Sequence, residues 1–406
     1  MATAMPMDTP AHVPSSHVVD FDVYRPPQVE QGFHEAWAAL QAPGVPDMVW
    51  TPRHGGHWIA TRAPLIEQVL GDPSRFSNRI IIVPKADGEH HKMIPTTIDP
   101  PEHRPWRMLL NGEFSPRAIR RVEAEIRGIA VELIERVRAV GACDFIADFA
   151  GILPISIFLR IADLPAADAP RLKLLTDQIT RPDGSMSFQD AVQGFHDYLG
   201  AFVDERLGGD RDDMLSKMIN GTVDGHTLTR HEALQLCSQV VIAGLDTVVN
   251  FLGFMMQWVA ENPAERDRLA AEPTRIPQAI NELLRRFPMV SIGREVKADI
   301  DFGGVRLRAG EMVIAPTVLH GIDARTHDRP EIVDIDRRRP PEHLTFGTGD
   351  HKCPGAHLAR TELVISLEEW LARIPDVRIA PGAEITYDGG IVGSLKTLPL
   401  VWTPAT

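Results

Sequence analysis

The stretch Phe346-Gly-Thr-Gly-Asp-His-Lys-Cys-Pro-Gly-Ala356 decides the reading of this chain. Gly347, Gly349 and Gly355 let the backbone turn tightly and bring its amides toward a sulfur. The segment that follows, Ala356 to Leu371, is strongly periodic and reads as a helix. The loop thus presents Cys353 just ahead of a helix N-terminus, where the dipole and free amides favour a thiolate over a thiol. A thiolate is a metal ligand, and amides donating to its sulfur tune the metal. A buried structural cysteine in a glycine-rich turn is the competing explanation.

The rest of the chain narrows the choice. It has 406 residues, more than a usual single domain, yet its 33 prolines are scattered and no linker divides it, so residues 1–406 read as one domain. Hydrophobic residues make up 44% and charged residues 24%, as in a globular protein with a large core. With 42 basic and 55 acidic residues the formal charge is -13, which argues against a nucleic-acid partner. Three cysteines, Cys143, Cys237 and Cys353, form neither a disulfide framework nor a zinc spacing and fit a reducing compartment. No basic cluster followed by an apolar core opens the chain, and the longest apolar run, Val240 to Val259, contains Asp246, Asn250 and Gln257. The expectation is a cytoplasmic protein without membrane attachment.

Residues 1–30 are polar and proline-rich and read as an extended arm. Short strands are expected at Met48-Trp50 and Trp58-Ala60, then a helix over Ala63-Leu70. Residues 78–101 show no clear period and suggest a long structured loop. Helical periodicity dominates from Glu102 to Leu284, with a stripe of Ile119, Val122, Ile126, Ile129 and Leu133 after Pro116. Further helices fit Asp168-Ile179, Ser187-Leu207, Thr229-Ala260 and Thr274-Phe287. Strand signals return at Asp299-Arg308, around a Gly-Gly turn, and at Glu311-Ala315, Val377-Ala380 and Leu398-Trp402. The fold class is mainly α with small sheets.

Three more constellations carry chemistry. Glu282 and Arg285 lie three apart on a helix and can pair, although most such pairs are solvated. Asp246 and Thr247 interrupt VVIAGLDTVVNFLGFMM, where a carboxylate is costly unless paired. Ala243 and Gly244 are small enough to leave room beside that helix, while a Thr247 hydroxyl bonded back to the Ala243 carbonyl is the ordinary alternative. His103 and Arg107, four apart on one helical face, can grip an anion together.

The spacing Phe-x-x-Gly-x-x-x-Cys-x-Gly resembles the haem loop of the cytochrome P-450 family, and the other motifs follow in that family's order. The resemblance covers nearly the whole chain and is strongest to the bacterial camphor-hydroxylating branch, through IPTTIDPPEHR, LTDQITRPDGSM, GLDTVVNFL, ELLRRF, HLAR, IAPGAEI and LPLVW. It implies a cytochrome P-450 fold, a triangular helical domain around a buried haem b, with the iron held by Cys353 and the loop residues Phe346 and Gly355 beside it. It implies haem-propionate contacts from His103, Arg107, Arg294 and His351, with Ala243 and Gly244 beside the haem. Asp246, held by Lys173 and Arg181, and Thr247 become the acid-alcohol pair that delivers protons during dioxygen activation. Glu282 and Arg285 become a buried structural pair joined by Arg337.

The implied reaction is hydroxylation of a small apolar substrate, with electrons from a 2Fe-2S ferredoxin and an NADH-dependent ferredoxin reductase. Arg104, Arg107, Lys352 and Arg360 would offer that acidic partner a basic patch. The implied pocket draws on Ile82, His91, Met93, Thr96, Gln239, Ile242, Val290, Ile391 and Val392. His91 stands where the camphor-hydroxylating branch has a substrate-orienting tyrosine, Gln239 where it has an apolar residue, and Ile292 where it has an aspartate. An apolar substrate of about ten to thirteen carbons buries roughly 250–300 Å², a gross gain of about 6–8 kcal/mol. One neutral hydrogen bond adds only about 1 kcal/mol. Losing the tyrosine therefore changes orientation more than affinity, and the expectation is a terpenoid or norisoprenoid such as an ionone-like ketone in preference to camphor. A peroxide-driven haem enzyme and a non-catalytic haem-binding sensor share the Cys353 loop but have no use for the Asp246-Thr247 pair.

Overall fold

The computed structural model describes residues 7–89, 92–337 and 342–404. Its helices begin where local chemistry satisfies free amides. Helix α1 spans Ala63–Gly71 and α2 spans His103–Asn111. Helix α3, Pro116–Arg138, opens with Pro116 in its first turn and the Ser115 hydroxyl accepting from the Ala118 amide. Ile119, Ile126 and Leu133 of its apolar stripe are buried, and Val122 and Ile129 pack at the core's edge. Next come α4, Leu153–Ile161; α5, Ala169–Thr180; and α6, Phe188–Arg206.

Helix α7, Arg230–Glu261, is the axis of the molecule. Thr229 and Glu232 form a reciprocal capping box at its start, and α4, α5 and α6 pack around it. It is the one helix among the described residues long and apolar enough to cross a membrane, and most of it is buried inside the protein. Helix α8 spans Ile276–Arg286, and α9, Ala356–Arg373, packs against α3 and α8.

The largest sheet has five strands: β1, Met48–Thr51; β2, His57–Ala60; β3, Phe76–Ser77; β4, Ser291–Val296; and β5, Met312–Pro316. Their order is β1-β2-β5-β4-β3, antiparallel except for the β2–β5 pair. Strand β4 was not foreseen, because Gly293 and Arg294 break its apolar pattern. Its backbone nevertheless pairs on both sides, with Val313 opposite Arg294 and Val296 opposite Phe76. The expected hairpin forms from Ile300–Phe302 and Val305–Leu307. Its turn needs Gly303 and Gly304, whose φ values are 59° and 84°. Another unforeseen strand, Ala142–Asp144, joins the C-terminal Pro399–Val401.

The first residues do more than wrap the surface. Val18 bridges to Trp50, and Phe21, Val23 and Tyr24 are buried in the core. The loop expected over residues 78–101 holds a short helix, Lys85–Glu89.

Behind the sheet, Glu282 and Arg285 are 1% and 0% exposed, so the pair is not a solvated one. Arg285 donates through Nε and Nη2 to the two Glu282 oxygens at 3.1 and 2.7 Å. Its remaining hydrogens go to the carbonyls of Gly321, Pro330 and Ile332. Arg337 donates to Glu282 Oε1 at 2.9 Å and to the carbonyls of Asp328 and Arg329. Gly321 must stay small, since a Cβ there would meet the Arg285 carbonyl oxygen at 1.9 Å. Replacing Arg285 with methionine leaves the buried Glu282 carboxylate with Arg337 and the Asp334 amide on one oxygen only, and takes the donor from three carbonyls, so stability should fall by about 3–5 kcal/mol in urea denaturation.

Candidate active site

The Cys353 loop is built from its own backbone. Gly347 and Gly349 have φ values of 67° and 65°, positions that favour glycine. The Gly347 amide donates to Leu344, Lys352 to Gly349, and Cys353 to Phe346 at 2.8 Å, which closes the turn. Gly355 differs from the expectation: its φ is -76°, an ordinary value. A Cβ there would lie 3.8 Å from the Cys353 sulfur, so its place beside the sulfur distinguishes it and not its backbone.

Cys353 faces a cavity of about 330 Å³ between α7 and α9. Burial pushes its thiol above the ordinary value, opposed by the Gly355 amide and the charges of Arg107 and Arg360. Arg360 stacks over Phe346 at 4.6 Å, and Phe346 lines the cavity.

His103, Arg107, Arg294 and His351 all line that cavity. Arg294, held on β4, is 3% exposed; it donates from Nη1 to the Gly293 carbonyl, and its Nε finds no partner among the described residues. Burial lowers it to about 10, still cationic at neutral pH. His351 Nε2 is likewise buried and unpartnered, and the His103 and His351 rings lie 4.0 Å apart. Burial and neighbouring cations lower both imidazoles, His351 to about 3. Positive charge here comes from two arginines, with two neutral imidazoles as donors. Unsatisfied buried donors around one cavity need an anionic acceptor, which haem propionates would supply.

On α7, Asp246 is fully buried. Arg181, at the end of α5, donates to it twice, from Nη1 to Oδ2 at 2.8 Å and from Nη2 to Oδ1 at 2.6 Å. Asn250 adds a bond at 2.9 Å, and Lys173 lies 3.6 Å away. Burial pushes this carboxyl up, yet Arg181, Lys173 and Asn250 hold it below its ordinary value. Thr247 lines the cavity one residue on, with its hydroxyl donating to the Ala243 carbonyl at 3.3 Å. Ala243 and Gly244 both line the cavity, as expected. A Cβ on Gly244 would come within 2.2 Å of the Phe158 ring, so this glycine also admits a side chain from α4 to the cavity wall.

Of the expected pocket residues, Thr96, Gln239 and Val290 line the cavity. Ile82 and Ile391 do not: they face a separate small cleft beside Tyr24. Met93, Ile242 and Val392 are buried away from the lining, and Val392 instead bridges to Val290 and accepts from Arg181. His91 lies outside the described residues. The reading of the sequence missed Val240, Val248, Phe251 and Phe158. The helical spacing of Gln239, Ala243, Thr247 and Phe251 held a signal for the α7 members; Phe158, far away in sequence, offered none.

Comparison with known proteins agrees with this geometry. Residues 182–374 match the family model for cytochrome P450. A probable cytochrome P450 127A1 of Sinorhizobium fredii is 34% identical, with 97% of this chain and 96% of that protein covered. The mycinamicin IV hydroxylase/epoxidase of Micromonospora griseorubida is 31% identical over 85% of this chain and 89% of its own. The crystal structure of CYP101J2 superposes with a TM-score of 0.89 at 46% identity, covering 97% of this chain and 100% of that one. CYP101C1 superposes equally well, also at 0.89, with 38% identity and the same coverage. The chain is thus similar to these proteins over almost its full length, and it belongs to the cytochrome P450 monooxygenase family, whose haem iron is bound by a cysteine thiolate.

Proposed function

We propose that this protein hydroxylates a small apolar terpenoid or norisoprenoid, an ionone-like ketone in preference to camphor, with Cys353 as the thiolate ligand of its haem. The carrying observation is that Cys353, Arg294, His351 and Thr247 all line one apolar cavity, with the buried, Arg181-paired Asp246 next to Thr247 on α7. We read all 406 residues as one catalytic domain working in the cytoplasm.

His103, Arg107, Arg294 and His351 hold the propionates, and Phe346, Ala243 and the backbone near Gly355 border the haem. When bound, haem iron supplies the positive charge that deprotonates Cys353 and the centre at which dioxygen is activated. Asp246 takes up and releases a proton by exchanging its Arg181 partners for water. Thr247, one position on, passes that proton into the cavity once its hydroxyl leaves the Ala243 carbonyl. Both residues sit on α7, so the helix fixes their separation while Arg181 sets how readily Asp246 turns.

Electrons come from a 2Fe-2S ferredoxin reduced by an NADH-dependent reductase. Support lies in exposed Arg104 and Lys352 near the cysteine loop, although Arg107 and Arg360 are half-buried and face Cys353 more than solvent. On a chain of net charge -13 such a local basic patch favours an acidic partner.

Four outcomes test the reading. The reduced, carbon-monoxide-treated protein should show the strongly red-shifted Soret band of thiolate ligation, and Cys353→Ala should lack it; a band typical of histidine ligation in the wild type refutes the assignment. Titration with β-ionone should shift the Soret band at lower ligand concentration than camphor, and tight, selective camphor binding refutes the substrate class. Asp246→Asn should slow NADH-driven product formation about 10²-fold and enlarge its solvent isotope effect, with haem content unchanged. Because Asp246 is held below its ordinary value, its ion pair contributes fully above that range and is lost as pH falls through the lowered value. The stability difference between wild type and Asp246→Asn should therefore stay constant from pH 7 downward and shrink only below about pH 4.

A further inference from the structure

Resting on that reading, we infer that Gln239 is the hydrogen-bond anchor for the substrate carbonyl, and that it directs hydroxylation to the end of the molecule farthest from the oxygen. The inference begins from the hydroxyls around the cavity. A neutral hydroxyl has one hydrogen to give. Thr247 gives its hydrogen to the Ala243 carbonyl, Thr317 to Val290, and Thr345 to Leu284. Thr348 belongs to the cysteine loop and rests against Gly71. A ketone carries acceptors only, so none of the three committed threonines can serve it without breaking a bond already made.

Gln239 is different. It lines the cavity, and its Oε1 is buried with no hydrogen-bond partner among the described residues. As it stands this oxygen can only accept, which a ketone cannot answer, and left unpartnered in the interior it costs about 1–3 kcal/mol. Half a turn about the terminal torsion exchanges carbonyl and NH2, so the same position donates to a carbonyl oxygen.

Position on α7 gives the direction. Gln239, Ala243 and Thr247 follow at intervals of four and face one side of the helix. Eight residues separate Gln239 from Thr247, about 12 Å along the axis. That is close to the long axis of a ketone of about thirteen carbons and longer than a compact bicyclic ketone of about ten. A carbonyl held at Gln239 therefore leaves the far ring edge at the Thr247 end, where the proton-delivering hydroxyl lies. A compact ketone held there falls short of that end.

The experiment compares β-ionone with the same skeleton carrying CH2 in place of C=O, by Soret titration of the haem-loaded full chain and by product analysis. The wild type should prefer the ketone, and Gln239→Leu should reduce that preference roughly fivefold to tenfold, the range of one neutral hydrogen bond. Binding of the carbonyl-free skeleton by the variant serves as its folding control, and the ring-edge product should give way to a mixture. An unchanged ketone preference and an unchanged product in Gln239→Leu overturn the anchor while leaving the proposed function standing. Loss of the preference in Thr96→Val instead assigns the bond to Thr96 and overturns it as well. A wild type that binds neither ligand overturns the substrate class and the anchor together.

Discussion

The buried Glu282–Arg285 pair is the interaction on which the geometry of the site depends. Every hydrogen-bonding direction of the Arg285 guanidinium is used, on Glu282 and on three carbonyls of the segment from Gly321 to Ile332. Arg337 reaches the same carboxylate from farther along that segment. One residue before Arg285, the Leu284 carbonyl accepts the Thr345 hydroxyl at the entrance to the cysteine loop. A single clamp on α8 thus sets the irregular segment on one side and the start of the Cys353 loop on the other. Irregular backbone has little periodic hydrogen bonding to hold it, so a fully satisfied buried charge pair takes that part.

Around the cavity, charges fall into two groups with different physical meaning. Asp246 is satisfied from behind: Arg181 covers both oxygens, Asn250 adds a third bond, and the carboxylate stays ionised inside an apolar helix bundle. Arg294 and His351 are not satisfied, and their free donors belong to the cavity. A protein interior tolerates the first group because pairing offsets desolvation. It tolerates the second only where something else completes the bonding, which marks function better than charge alone.

Small residues divide in the same way. Gly347 and Gly349 are needed for their left-handed backbone, Gly321 and Gly244 for the close approach of other atoms. The sequence signature is identical in the two cases. At Gly244 that close approach is the Phe158 ring, packed against α7 at the wall of the same cavity.

The sequence by itself determined the helical class, the bounds of the long helices to within a few residues, and the family. It did so because these are written locally: Ser115-Pro116 and Thr229-Glu232 cap their own helices, and the cysteine loop turns on its own glycines. Helical spacing paired His103 with Arg107, but that Arg294 and His351 join them was legible only through resemblance, since nothing local draws together residues so far apart. Tertiary structure alone decided the rest. It placed Ser291–Val296 in the sheet through pairing on both sides despite a broken apolar pattern, turned Ile82 and Ile391 away from the main cavity, and left Gln239 facing it with an unused amide oxygen. The reason is physical: which face of a strand or loop meets a cavity, and which polar atom finds a partner, is settled by what packs against it from elsewhere in the chain.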